Sequence, residues 1–394
     1  MVPINSNVPT RGNVTEEYKF RAEDVIVLLG AGASVEAGLL SSEGMMRRLA
    51  DNILSSDKKI ARKWGKYNHL YRAVKSSILY GHHLVSSNIC PETEMVNIEE
   101  LVNVLTELAK AEAHPIYPFI AAWNMELTKY GGADFSNLKD FRRDIVNELV
   151  GTWVNVKNDE DCLYYKNFYR YWEETRNTLR IFSLNYDMCV ERACGLDNVC
   201  RGFRPTIMDD GRVRKVWKDG QMDDAAADQL PIILYKLHGS LDWRREKTSR
   251  MLYCEDSPDP CSYIDDYQLI FGTTYKLSYQ DPFLYQISEL RKFSGRARLI
   301  IAIGYSFNDD HINEIIGKSM SQRDDAKLLS VDFIKDASDG KAKERREYIK
   351  KKLQSESMND SRVIVYTDGA KTFLDKQFSR SYVESLLEDE AAPF

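Results

Sequence analysis

The chain has no apolar run approaching the roughly 20 residues that a helix needs to cross a bilayer, so no membrane-spanning helix is expected. It has no CxxC pair, the spacing from which structural zinc sites are often built, and no metal is expected. Its seven cysteines (Cys90, Cys162, Cys189, Cys194, Cys200, Cys254, Cys261) are an odd number in a large chain. Reduced thiols in a cytoplasmic setting fit that count better than a disulfide framework. Charge of one sign is also scarce. The net charge of −6 gives no global attraction to nucleic acid or to an anionic membrane. The opening stretch MVPINSNVPTRGNVTEEYKF lacks an apolar signal core and reads as a polar arm over residues 1–20. No internal repeat is visible.

What remains is the composition of a globular protein, 43% hydrophobic, 29% charged and 11% aromatic, in 394 residues. That length predicts two domains, or one domain with a large insertion. Val25–Leu29 reads as a strand. From about residue 43 to 178 the pattern is helical, as in Met95–Ala113 and Asn137–Val154, and predicts an all-helical insertion. Strands then resume at Arg180–Leu184, Ile232–Leu237, Gln268–Phe271, Leu299–Ile303, Leu328–Phe333 and Arg362–Tyr366. Strands alternating with helices favour an α/β fold, a Rossmann-like parallel sheet of about six strands. The expected organisation is one such domain over residues 21–380, interrupted by the insertion, with an acidic, frayed tail over 381–394. Arg244–Ser262 is polar and Pro-containing, hence a surface loop or small module. The basic stretch Lys341–Lys352 reads as a solvated helix face, and direct nucleic-acid binding is not expected.

Four apolar runs end in small polar motifs: Val25–Ser34 (VIVLLGAGAS), Ile181–Asp187 (IFSLNYD), Ile232–Ser240 (IILYKLHGS) and Leu299–Asp310 (LIIAIGYSFNDD). In open parallel sheets, ligands bind at the carboxyl ends of the strands. Gly30, Ala31, Gly32 and Ser34 form a turn at which backbone N–H groups could meet a pyrophosphate. The ordinary dinucleotide fingerprint fails, because Val35 stands where its third glycine belongs. Asn185 and Asp187 at a strand end need polar partners, and Asp187 could equally cap the helix that follows. His238 suits proton transfer near neutrality, although a strand-end histidine is more often a satisfied core residue. Gly304 and Ser306 open a turn with Asp309 as a further candidate cap.

As an ordered set, the four motifs resemble the sirtuin superfamily. GAGAS with Gly38 resembles its phosphate loop, SLNYD its Gln-Asn-x-Asp motif with Leu184 for Gln, LHG its catalytic His-Gly, and IGYSF its Gly-x-Ser ribose turn. Elements of the deacylating members are missing. Leu39–Glu43 lacks their acidic-aromatic-Arg element, only Cys254 and Cys261 stand in the place of a four-cysteine zinc module, and Phe271-Gly272-Thr273-Thr274 replaces the peptide-binding strand. The chain thus resembles the zinc-free, sirtuin-like NAD hydrolases of bacterial antiphage defence. That resemblance implies NAD as the substrate, with Asn185 holding the nicotinamide ribose and the attacking water. It implies His238 as general base, Asp187 at the nicotinamide carboxamide, the pyrophosphate on Gly30, Ala31, Gly32 and Ser34, and the adenine-side ribose on Gly304 and Ser306. It further implies a homo-oligomer, or a separate partner such as a HerA-type ATPase. An NAD-dependent deacylase and a non-catalytic NAD or ADP-ribose sensor are the alternatives.

Overall fold

The computed structural model describes residues 20–388 except 86–95, 110–128, 133–134, 209–210, 219, 221, 223–228, 247–250, 256–266, 270–280, 336–337 and 356. The N-terminal arm, Cys90, Cys261 and the segment Phe271–Thr274 therefore lie outside the described residues. In chain order the strands are β1 (Val25–Leu29), β2 (Leu179–Ser183), β3 (Val199–Cys200), β4 (Phe203–Ile207), β5 (Val213–Trp217), β6 (Ile232–Lys236), β7 (Gly239–Arg245), β8 (Leu252–Cys254), β9 (Tyr267–Leu269), β10 (Leu299–Ile303), β11 (Lys327–Val331) and β12 (Val363–Tyr366). The α-helices are α1 (Ser42–Ile53), α2 (Lys58–Trp64), α3 (Asn68–Val85), α4 (Ile98–Ala109), α5 (Ser136–Glu148), α6 (Asn167–Thr175), α7 (Cys189–Cys194), α8 (Phe283–Ser294), α9 (Asp310–Gln322), α10 (Asp339–Lys352), α11 (Ala370–Lys376) and α12 (Arg380–Leu387).

Seven strands form one parallel sheet in the order β12-β11-β10-β1-β2-β6-β3. Its strands are continuous apolar runs because both faces are covered. In β1, Val25, Val27 and Leu29 enter one core, and Ile26 and Leu28 enter another on the opposite face. Each such side chain contributes about 1.5–3 kcal/mol by leaving water. The chain runs from β1 towards β2 on one side and from β10 towards β12 on the other. The topological switch point therefore falls between β1 and β10, where a ligand crevice forms in such sheets.

All described elements from Ser42 to Thr175 are helical. Their core, built on Leu49, Leu101, Leu105, Phe141 and Ile145, extends to Tyr186, Met188 and Leu241 beside the strand ends. One expectation needs correction. The strand expected at Gln268–Phe271 is described only to Leu269, and that part is not in the parallel sheet: β9 pairs with β7 in a second, antiparallel sheet ordered β4-β5-β8-β7-β9. Of the two readings of Arg244–Ser262, the small module fits its described part, which supplies the end of β7 and all of β8 to that sheet. The last stretch is fastened rather than frayed as far as Glu388. Val383 and Leu387 are buried, and Arg298 and Lys327 donate to the carbonyls of Leu387 and Leu386.

Candidate active site

The Gly-rich turn and the fourth motif meet directly at the switch point. Gly30 N–H donates to the Ile303 carbonyl, and Gly32 N–H donates to Gly304 O at 2.9 Å. A Cβ on Gly304 would lie 2.0 Å from the Ala33 nitrogen, and Gly304 holds a positive φ of +61°. The glycines are therefore required by the contact between the two turns, whatever ligand they meet. Residues Ala31–Ala37 form a 3₁₀ helix that stops at Gly38. Tyr164 donates to Ala33 O at 2.6 Å and holds this turn from outside.

Ser34 lies at the centre of the polar cluster. Its hydroxyl donates to Asp187 Oδ2 at 2.8 Å. With its proton so engaged, it accepts from the Tyr165 hydroxyl at 2.9 Å and from Asn185 Nδ2 at 3.3 Å. Asn185 Nδ2 also donates to Gly30 O at 3.0 Å. Asn185 is 7% exposed, and its carboxamide oxygen has no hydrogen-bond partner among the described residues. Asp187 Oδ1 accepts from Cys189 N–H, so Asp187 binds the first residue of α7 while also serving Ser34, although the N-cap position itself is Met188. Burial, chiefly, raises the Tyr165 phenol well above its usual range, with the Tyr164 and Asp187 charges adding to the effect.

His238 sits in the two-residue link where the chain leaves parallel β6 for antiparallel β7, and Gly239 makes the turn at φ +88°. The ring is buried. Its Nδ1 lies 3.8 Å from Glu99 Oε1 and its Nε2 lies 3.5 Å from Asp309 Oδ2. Glu99 comes from α4 and accepts from the Tyr186 hydroxyl at 3.0 Å. Asp309 caps α9 through His311 N–H. Beneath these groups lies a buried ionic chain. Lys236 donates to the Asp187 carbonyl and lies 3.9 Å from Glu191. Glu191 is 3.8 Å from Arg201, which pairs with Asp242 of β7 at 2.5 Å. Burial pushes the Glu191 carboxyl up, against the pull of Lys236 and Arg201.

The structure thus brings Gly30, Gly32, Ser34, Asn185, Asp187 and Gly304 into one hydrogen-bonded cluster. His238 adjoins it, its ring centre 6.3 Å from that of Tyr186, between Asn185 and Asp187 in the chain. Ala31 and Ser306 are exposed. Sequence reasoning missed Glu99, Tyr165 and Lys236. Glu99 reads only as a polar position of an amphipathic helix, and no spacing links it to His238. Among the described residues, no group of three or more His, Cys, Asp or Glu side chains is arranged to hold a metal ion. Nor is any helix among them long and apolar enough to cross a membrane.

Comparison with known proteins adds the following. A search among curated proteins found no match. Among solved structures, a Sir2 homologue in complex with 2′-O-acetyl ADP-ribose is 13% identical, with a TM-score of 0.38 over 93% of this chain and 94% of that one. A Sir2 homologue in complex with NAD is 14% identical, with a TM-score of 0.38 over 92% and 90%. Sir2Tm bound to a propionylated peptide is 13% identical, with a TM-score of 0.35 over 92% and 94%. Residues 179–357, which contain Asn185, Asp187, His238, Gly304 and Ser306, match the model of a SIR2-like domain, and this likeness supports the sirtuin-like superfamily for that stretch.

Proposed function

We propose that the chain is an NAD⁺ glycohydrolase, cleaving NAD to nicotinamide and ADP-ribose. The observation that carries this reading is the buried, unpartnered carboxamide oxygen of Asn185 at the switch-point crevice, with His238 adjoining. Leaving such an atom unsatisfied costs about 1–3 kcal/mol, which a ribose hydroxyl or a water would recover. The SIR2-like match of residues 179–357 supports the choice of NAD.

In this reading the turn Gly30, Ala31 and Gly32 lies against the pyrophosphate, with the Gly30 and Gly32 N–H groups already committed to Ile303 O and Gly304 O, and Gly304 and Ser306 face the adenine-side ribose. Ser34 acts through its hold on Asn185 and Asp187. Asn185 positions the nicotinamide ribose and a water, and Asp187 contacts the nicotinamide carboxamide. The ribose C–N bond breaks, and its electron pair goes to the pyridine nitrogen, neutralising the leaving group. Water oxygen forms the new bond to the ribose carbon, and its proton passes to His238 and then to solvent. The equation balances without a metal. Catalysis rests on orientation and on stabilising the cationic transition state.

At the level of the whole chain, we read residues 43–178 as an insertion into a sirtuin-like Rossmann domain spanning 21–380, flanked by the arm 1–20 and the tail 381–394. The biological role proposed is NAD depletion in the bacterial cytoplasm as an antiphage effector. The chain would work as a homo-oligomer, or with a separate partner of the HerA-type ATPase kind.

The test is nicotinamide release from NAD across protein concentration, with particle size followed in parallel. Asn185→Ala and His238→Ala are each expected to lower release by about 100-fold or more while the thermal midpoint holds. Full activity in both variants sinks the assignment. NAD consumption only with an acetylated peptide present identifies a deacylase instead, and binding without turnover identifies a sensor.

A further inference from the structure

Glu99 is the point at which the helical layer reaches the candidate site. Helix α4 is seated through Ile98, Leu101, Val102 and Leu105, all buried, so its packing does not call for an acid facing inward. Two acids occupy its first turn, where the helix dipole favours negative charge. They behave differently. Glu100 is one-third exposed and meets His82 at 2.6 Å. Glu99 is half as exposed, at 17%, and is turned onto Tyr186 and His238. Burying a carboxylate is costly unless it is paired, and its contacts include a phenol at hydrogen-bond distance and the candidate base at 3.8 Å. Burial raises the Tyr186 phenol far above its usual range, and the Glu99 charge adds to that, so Tyr186 stays a hydrogen-bond donor that fixes Glu99 in place.

We propose that Glu99 is a positioning residue for His238. Its carboxylate faces the Nδ1 side of the ring at 3.8 Å, beyond hydrogen-bond distance, while Asp309 faces Nε2 at 3.5 Å, so Glu99 acts on the ring through its charge. It also offsets the positive charge the ring acquires on taking a proton. A base oriented by a third group is the recurrent arrangement of activated sites. The inference rests on reading the site as an NAD hydrolase, and it makes turnover depend on how α4 is seated. Any partner that shifts the helical layer would then change the rate through His238, without touching the residues that bind NAD.

The experiment uses Glu99→Gln in the full chain, which keeps the size of the side chain and an acceptor oxygen for Tyr186. Three quantities are read: nicotinamide release, NAD affinity by calorimetry, and the ring ¹⁵N resonances of His238 in histidine-labelled protein, identified by their loss in His238→Ala. The expected result is kcat lowered by about 100-fold at unchanged NAD affinity, with the His238 ring resonances shifted. Wild-type kcat together with unshifted resonances overturns the proposal. If the wild-type protein releases no nicotinamide, the functional reading fails and the resonances alone decide the role of Glu99. A shift upholds it and constancy refutes it. Should Glu99→Gln not fold, Tyr186→Phe, which releases Glu99 from its donor, is read the same way.

Discussion

Ser34 makes three side-chain hydrogen bonds with one hydroxyl, to Asp187, Tyr165 and Asn185. Ser34→Ala leaves a buried carboxylate oxygen and a buried phenol short of a partner. Chemical denaturation should show a loss of about 1–3 kcal/mol. Gly304 is constrained still more tightly. Gly304→Ala puts a methyl into the Ala33 backbone at a positive φ, so neither a rotamer change nor a shift of the methyl can relieve it. The expected outcome is a poorly folded protein. A variant with wild-type stability would mean that the two turns do not meet as described. At this scale the sequence is informative where a residue type is chemically unusual for its place, such as an Asn, a His or a Gly pair closing an apolar strand. It is silent on Glu99, whose chemistry comes from a neighbour far along the chain.

Among the elements, the parallel strands are legible because strands buried on both faces must be apolar throughout. The antiparallel sheet is not. Its β4 and β5 carry Arg204, Pro205, Arg214 and Lys215 and are mostly exposed or half-buried, so neither apolar run nor strict alternation marks them. The basic helix α10 has the composition of a solvated face, yet several of its cations have structural work. Arg345 pairs with Asp332 and donates to Tyr305 O, which holds the fourth motif in place, and Lys350 meets Asp360. The turn from α9 to β11 gives a test with pH. Hydrogen bonding to Arg323 holds the Asp325 carboxyl below its usual range. A lowered carboxyl contributes stability above the unfolded value of about 4 and loses it as pH falls through the folded value. Asp325→Asn should therefore flatten the fall of the thermal midpoint below about pH 4. An unchanged acid slope would show that the pair adds nothing.

The molecule as a whole has separate apolar cores on the two faces of the parallel sheet, and a third within the helical layer that continues to Tyr186 and Leu241. Leu105 is fully buried in that third core. Leu105→Ala should cost about 2–5 kcal/mol. The layer should then open before the sheet does, so nicotinamide release should fade at a temperature where far-UV circular dichroism still reports the folded sheet. Loss of both signals together would mean that the layer is not a separate unit of stability. The extent of the helical layer can be read from the sequence because long amphipathic runs are its plainest signal. Its contact with the site cannot, because nothing in a 3.6-residue period says which neighbour a polar position will face.

The order of the sheet also bears on how the protein is made. β1 is synthesised first, yet it lies between β2 and β10, which arrive much later, and its register with Leu299–Ile303 cannot form until those residues exist. Non-local pairings of this kind fold slowly. Asp309, the far wall of the His238 site, lies between β10 and α9. A chain still on the ribosome therefore carries Asn185 and His238 without the turn that completes their surroundings. The site cannot close before this late part of the chain exists, so the activity proposed above would be acquired only late in translation.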